Sequence, residues 1–302
     1  MFRKIKNLRE LISTLAQTQI LIEEQKILTA KLHIDKMKKI DKIDQLEEVE
    51  FKVFSQWGDD GIIQWLIHHL DIPNKTFIEF GVGDYRESNT RFLMMNNNWS
   101  GLVMEGSKKN ITKIINSEYY WKYELTARQA FITCENINNL ISGQNFDEEV
   151  GLLHIDIDGN DYWIWKEIDT INPIIVIMEY NSLFGMERPI TIPYSADFYR
   201  TKAHHSNLYY GASLKALHYL AQQKGYTFIG CNSAGNNAFF IRKDKVNEKV
   251  REISPEQGYV LMKGRDSRDE RGNLTYVTGK SRLELIRGMP VTNVITGETE
   301  NL

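Results

Sequence analysis

Apolar side chains recur at three- and four-residue spacings through the first 48 residues, which contain neither glycine nor proline, and this pattern predicts one long helix. Ile5, Leu8, Ile12, Leu15 and Ile22 follow a 3,4 alternation. Polar Gln19 and Lys26 fall on the continuing seam, so a strict coiled coil spans barely two heptads. Two readings stay open: a helix that pairs with a second copy or lies on a membrane surface, and an amphipathic helix packed on its own domain.

From Phe51 onward the period changes. Short β-branched and aromatic runs alternate with helical stretches, the pattern of a parallel sheet covered by helices. Seven strands are predicted: Thr76 to Val82, Gly101 to Glu105, Arg128 to Thr133, Gly151 to Asp158, Ile174 to Tyr180, Tyr226 to Cys231 and Ala238 to Arg242. The last two read as a hairpin around Ser233 to Asn236, following a helix over Ser213 to Lys224. The expected fold is therefore α/β and Rossmann-like, a mostly parallel seven-stranded sheet finished by an antiparallel hairpin strand, preceded by a long helix. Three parts follow: residues 1–48, helical; 49–242, catalytic, with a lid insertion at 182–212; and 243–302, a charged, turn-rich extension with one short helix near Ser281 to Arg287.

Composition narrows the function. The chain has 302 residues with 42% hydrophobic and 25% charged side chains and six prolines, which excludes wholesale disorder. Forty acidic against 37 basic residues give a net charge of −3, no field for gathering nucleic acid. The first 48 residues hold ten basic and eight acidic side chains, so the remainder is the more acidic part. Cys134 and Cys231 form no metal or disulfide motif. The longest apolar runs fall far short of the ~20 residues of a membrane span, and residues 1–22 lack a signal-type apolar block. These features predict a cytoplasmic protein.

Candidate chemistry sits at the strand ends. Glu79-Phe80-Gly81-Val82-Gly83-Asp84 places glycines where a nucleotide-type ligand must approach the backbone. A dinucleotide fingerprint would need glycine where Arg86 stands, and Asp84 and Glu87 would oppose a pyrophosphate. A cationic sulfonium without phosphate, S-adenosylmethionine, suits the site better, with Glu79 reaching its amino-acid portion. Glu105 ends the next strand, where a carboxylate can accept both ribose hydroxyl protons. In His154-Ile155-Asp156-Ile157-Asp158-Gly159-Asn160-Asp161, His154, Asp156 and Asp158 share one strand face. Asp158, Glu179 and Asn181 can supply oxygen ligands from two adjacent strand ends, as Mg²⁺ prefers. Asp161 and Asn160 read equally well as helix caps. The aromatic stretch 182–212 includes His204 and His205, candidates for a general base or solvent-facing residues.

Taken together, Ser55-Gln56-Trp57-Gly58-Asp59-Asp60-Gly61-Ile62, Phe77-Ile78-Glu79-Phe80-Gly81, Glu87-Ser88-Asn89-Thr90, Trp99 to Glu105, His154 to Tyr162 and Gly235-Asn236-Asn237-Ala238-Phe239-Phe240 resemble the FkbM-related class I methyltransferases over residues 51–242. The resemblance implies methyl transfer from S-adenosylmethionine to a hydroxyl, in pathways of polysaccharides or antibiotic sugars. It implies a cofactor site at Gln56, Glu79, Gly81, Gly83, Asn89, Glu105 and Asp156. The acidic run followed by Glu179 is also similar to metal-dependent sugar O-methyltransferases, which implies Mg²⁺ at Asp158 and Glu179 and leaves the base open among Asp161, His204 and His205. The expected partner is a small-molecule or glycan acceptor, with homo-oligomerisation through the first helix as a further expectation. Two rivals are a metal-dependent glycosyltransferase using Asp156-x-Asp158 and a non-catalytic methyltransferase-like scaffold.

Overall fold

The apolar runs after position 70 pair into a seven-stranded sheet in the computed structural model, which describes residues 2–143 and 148–302. In chain order the strands are β1 (Thr76–Phe80), β2 (Ser100–Glu105), β3 (Leu125–Gln129), β4 (Leu152–Ile155), β5 (Ile175–Glu179), β6 (Ile190–Thr191), β7 (Tyr226–Cys231), β8 (Asn237–Arg242), β9 (Pro290–Asn293) and β10 (Thr299–Asn301). The helices are α1 (Phe2–Met37), α2 (Asp59–His69), α3 (Arg91–Asn97), α4 (Lys108–Ile115), α5 (Glu118–Lys122), α6 (Ile137–Ser142), α7 (Asp161–Glu167), α8 (Arg200–Ala203), α9 (Leu214–Gln223), α10 (Pro255–Gly258) and α11 (Ser281–Glu284), the last being the short helix expected near Ser281 to Arg287. The main sheet runs β3-β2-β1-β4-β5-β8-β7, and only β8 opposes its neighbours. This is the expected mostly parallel Rossmann-like sheet with its antiparallel hairpin strand. No helix among the described residues is long and apolar enough to cross a membrane.

Strand alternation builds two cores. Phe77, Leu152, Ile175, Ile177 and Phe239 face α2, α3 and α4, while Ile78, Phe80, Leu153, Ile155 and Phe240 face α6, α7 and α9. With both faces covered, the strands carry continuous apolar runs, and their polar residues collect at the carboxyl ends. Two boundaries differ from expectation. β3 lies three residues earlier than predicted, since Leu125 supplies its buried start, and 130–133 turn away from the sheet. β4 pairs only to Ile155, because the carboxyl group of Asp161 folds 157–161 into a loop.

The insertion after β5 and the chain terminus share a third core, in which Leu183, Ile190 and Leu208 meet Ile286 and Val291. There β6 is completed by β9 and β10, a small antiparallel sheet that the sequence pattern did not predict.

Helix α1 ends at Met37, before the predicted limit. Ala30, Ile34 and Met37 are buried in the first core, whereas Ile12, Leu15 and Ile22 on the 3,4 seam stay exposed. Met1 lies outside the described residues. Farther along α1, Glu23 accepts a 2.7 Å bond from buried Arg91, whose guanidinium lies 4.1 Å from the Phe54 ring and 4.8 Å from that of Tyr119. Arg91→Ala should strand Glu23 and leave a gap between two rings, costing about 2–3 kcal/mol. Urea denaturation measures this, and a loss under about 0.5 kcal/mol would mean that this pair does not anchor α1.

Candidate active site

The carboxyl ends of β1, β2 and β4 converge on a glycine turn. Gly81 adopts φ +75° and Gly83 φ +53°, conformations that glycine takes without a Cβ penalty. A Cβ on Gly81 would lie 1.6 Å from the Asp156 carbonyl oxygen, so the turn can touch the β4 exit only as glycine. Glu105 Oε2 accepts the Gly83 N–H at 3.0 Å, and its Oε1 accepts the Ser107 N–H at 2.8 Å. The carboxylate at the β2 end thus ties the two turns together.

Two cavities flank this junction and share Gly81, Gly83 and Asp156. One, of about 500 Å³, is bordered by Gln56, Glu79, Asn89, His154, Asn236 and Asn237. The other, of about 450 Å³, is bordered by Glu105, Phe131, Asp158, Asn160, Tyr199 and Arg200. Phe131 and Tyr199 stack at 5.3 Å between centroids. Asp84, beside the glycine turn, is offset by Lys113 at 2.8 Å and Arg86 at 3.5 Å.

Glu79 borders the first cavity, but its oxygens are already engaged. Oε1 accepts from the Asn89 N–H and pairs with His154 Nδ1, each at 2.9 Å; Oε2 accepts from Ser88 Oγ, the Thr90 N–H and Thr90 Oγ1. Burial works to raise the Glu79 carboxyl, yet His154 and the hydroxyls outweigh it and hold the group below its ordinary value. His154 is raised in turn: burial favours the neutral ring, and Glu79 overrides it. Glu79 thus frames the cavity it borders by holding the 88–90 turn. Asn89 lies within that frame, its Nδ2 3.3 Å from His154 Nε2. Gln56 is exposed at the cavity edge.

Oxygen atoms of Asp156, Asp161 and Glu179 lie within 4.8 Å of one another. They differ in what they hold. Asp161 accepts the Ile157 and Gly159 N–H groups, both at 2.8 Å, so its carboxylate closes the loop leading into α7; burial pushes it up to about 6. Glu179 is 8% exposed, and its Oε2 has no partner among the described residues. Burial, then the Asp156 charge, raise it well above its ordinary range. Asp156 is half-buried and has no side-chain hydrogen bond among the described residues.

The predicted Asp158–Glu179–Asn181 ligand set is not assembled. Asp158, exposed and at φ +59°, is bound by Arg200 Nη1 at 2.6 Å. Asn181 is 1% exposed and spends its amide on the Leu208 and Tyr210 carbonyls and the Leu183 N–H, bracing the start of the insertion. Of that set only Glu179 stands in the acidic cluster, beside Asp156 and Asp161. His204 and His205 are likewise apart: their rings lie 4.2 Å from each other, His204 meets Ser206, and neither borders the two cavities.

The sequence reading missed Arg200, which joins Asp158 and Asp266 and lies 3.7 Å from the Tyr210 ring. It also gave no role to Asn236 and Asn237, although the Gly235 to Phe240 run had marked their turn.

No protein-family profile matches the chain, and no curated protein does. Among solved structures, the chain is similar to an O-methyltransferase from Bacillus cereus in complex with SAH, at 12% identity over 55% of this chain and 72% of that one, with a TM-score of 0.38. It is also similar to a SAM-dependent methyltransferase from Aquifex aeolicus, at 10% identity over 69% of this chain and 98% of that one, TM-score 0.36. A third likeness is to an S-adenosylmethionine-dependent methyltransferase from Clostridium acetobutylicum, at 9% identity over 61% and 89% of the two chains, TM-score 0.35.

Proposed function

We propose that the chain is an S-adenosylmethionine-dependent O-methyltransferase acting on a sugar hydroxyl, or a phosphate-linked group, in the biosynthesis of a surface polysaccharide of capsule or lipopolysaccharide type. The observation that carries this reading is Glu105, a carboxylate at the β2 end held against the glycine turn by the Gly83 N–H. A carboxylate there suits a ribose diol and opposes a phosphate. The fit extends to the turn itself, since nothing lies within 4 Å of a Cβ position on Gly83. The sugar and polysaccharide part of the reading is supported by the resemblance of the motifs to the FkbM-related enzymes.

When bound, S-adenosylmethionine supplies an already activated methyl group. The chain's own work is to hold and orient, and alignment can contribute ~7–11 kcal/mol. Asp156, at the junction of both cavities and with oxygens that accept no hydrogen bond among the described residues, is the group placed to take the proton of the acceptor hydroxyl. Burial, and next the Asp158 carboxylate, push it up to about 7. It is ionised above that pH and protonated below it, so turnover should rise as pH is raised through about 7 and fall as pH is lowered. Asp156→Asn should lower kcat on the order of 10² and abolish that limb. A limb that persists in the variant assigns the proton to another group.

The whole reading is tested by calorimetric titration of the purified protein with S-adenosylmethionine and by transfer of labelled methyl to nucleotide sugars and glycan fragments. Failure to bind, together with failure to transfer, sinks it. Asp158 bound to Arg200 counts against the glycosyltransferase alternative, which needs Asp156 and Asp158 on one cation. A second reading adds a hard divalent cation such as Mg²⁺ at Asp156 and Glu179, favoured by the buried, unpartnered Glu179 Oε2. Activity lost in EDTA and restored by Mg²⁺ would support the cation; activity indifferent to EDTA would remove it.

A further inference from the structure

Asn237 opens β8 directly opposite Glu179 on β5. Its side chain is 3% exposed and borders the cavity at Asp156. Its Nδ2 donates to Asp59 Oδ2 at 2.6 Å, while its Oδ1 is buried without a partner among the described residues. The amide cannot profitably turn over. Asp59, at the start of α2, is fully buried and receives a second amide from Asn232 at 2.8 Å. Asn232 is itself fixed, because its Oδ1 accepts the N–H groups of Gly235, Asn236 and Asn237. A carboxylate only accepts, so Asn237 presents its NH₂ to Asp59 and leaves its oxygen elsewhere. A buried acceptor with nothing to accept is costly unless a ligand supplies the donor.

We propose that Asn237 is a positioning residue of the methyl-acceptor subsite, its Oδ1 accepting a hydrogen bond from the substrate hydroxyl as it is seated beside Asp156 and Glu179, before the hydroxyl turns its proton to Asp156. The inference rests on the methyl-transfer reading and deepens it: the subsite takes a neutral, hydroxyl-bearing substrate at this point, held by an amide instead of a charge. Its orientation is set by Asp59, 178 positions away in the sequence.

Sinefungin, which carries an amino-bearing carbon in place of the methyl sulfonium, puts a hydrogen-bond donor where the methyl group leaves. The test compares its affinity with that of S-adenosylhomocysteine, which has no such donor, by calorimetry. Asn237→Ala, and Asn237→Ser as a variant that keeps a donor for Asp59, should lose about 10- to 100-fold in sinefungin affinity and little for S-adenosylhomocysteine. Asn232→Ala is the control, since it removes the other amide on Asp59 from outside the cavity lining; it should not change the ratio of the two affinities. Equal losses for both ligands, an unchanged ratio in the Asn237 variants, or the same shift in Asn232→Ala would overturn the assignment while leaving the methyl-transfer reading intact. A wild-type protein that binds neither ligand would instead remove the reading beneath it.

Discussion

Glu105→Ala should abolish measurable binding of S-adenosylhomocysteine while leaving the protein folded. Glu105 is only half-buried and sits at a strand end, so its loss opens no core cavity. The stability cost should stay near that of three lost hydrogen bonds, those from Gly83, Ser107 and, at 3.4 Å, Asn110. Binding should suffer far more. Two charge-assisted bonds to a ribose diol correspond to roughly 10² to 10⁴ in affinity, and the Gly83 N–H that now points to Glu105 would be left without its partner. Glu105→Gln keeps one acceptor and the side-chain volume, so it should retain part of the affinity. Calorimetry on both variants, with melting temperatures alongside, separates the two effects. If Glu105→Ala binds within about threefold of wild type, the ribose assignment is wrong and the methyl-transfer reading loses its main support.

The same carboxylate shows what a sequence can and cannot disclose. Glu105 was recognisable because its position at a strand end follows from local pattern: Leu102, Val103 and Met104 are apolar and buried, and the first polar residue after them must emerge at the rim. Gly81 and Asp156 were legible for the same reason. Glu79 satisfied that rule equally well, yet its oxygens are consumed by Ser88, Asn89, Thr90 and His154, and where hydrogen bonds go is not written in strand periodicity. Asp161 is not the helix cap that its position suggested, since the backbone N–H groups that claim its carboxylate lie two and four positions earlier, in the loop before α7. Asn181 failed as a ligand because its partners, Leu208 and Tyr210, lie across the insertion. Arg200 gave no sequence signal, and Asn237 was legible only as part of the Gly235 to Phe240 run, because each acquires its role only from distant partners, Asp158 with Asp266 for the one and Asp59 for the other. The strands behave likewise. β2, β5 and β7 were placed to within a residue by their apolar runs, whereas the end of β4 depended on a side chain beyond the strand folding back.

Gly81→Ala should be the most damaging single-methyl change in the molecule, and its effect should differ in kind from that of Gly83→Ala. Both glycines have positive φ, so each substitution carries a conformational cost of about 1 kcal/mol. At Gly83 nothing further is met, and the N–H to Glu105 survives. At Gly81 the new methyl would fall 1.6 Å from the Asp156 carbonyl oxygen and 2.8 Å from its carbon. Neither is the end of a flexible side chain. Both belong to the backbone just beyond the point where Phe80 pairs with Ile155, so relief requires the carboxyl ends of β1 and β4 to separate. Overpacking adds about 1–3 kcal/mol, for a total of about 2–4 kcal/mol in urea denaturation. The functional loss should be greater, because the group displaced is Asp156, shared by both cavities, and the crevice opens at its junction. Gly83→Ala should lose only the conformational part and retain S-adenosylhomocysteine binding. Equal behaviour of the two variants would show that the contact between the β1 turn and the β4 exit is not what shapes the crevice.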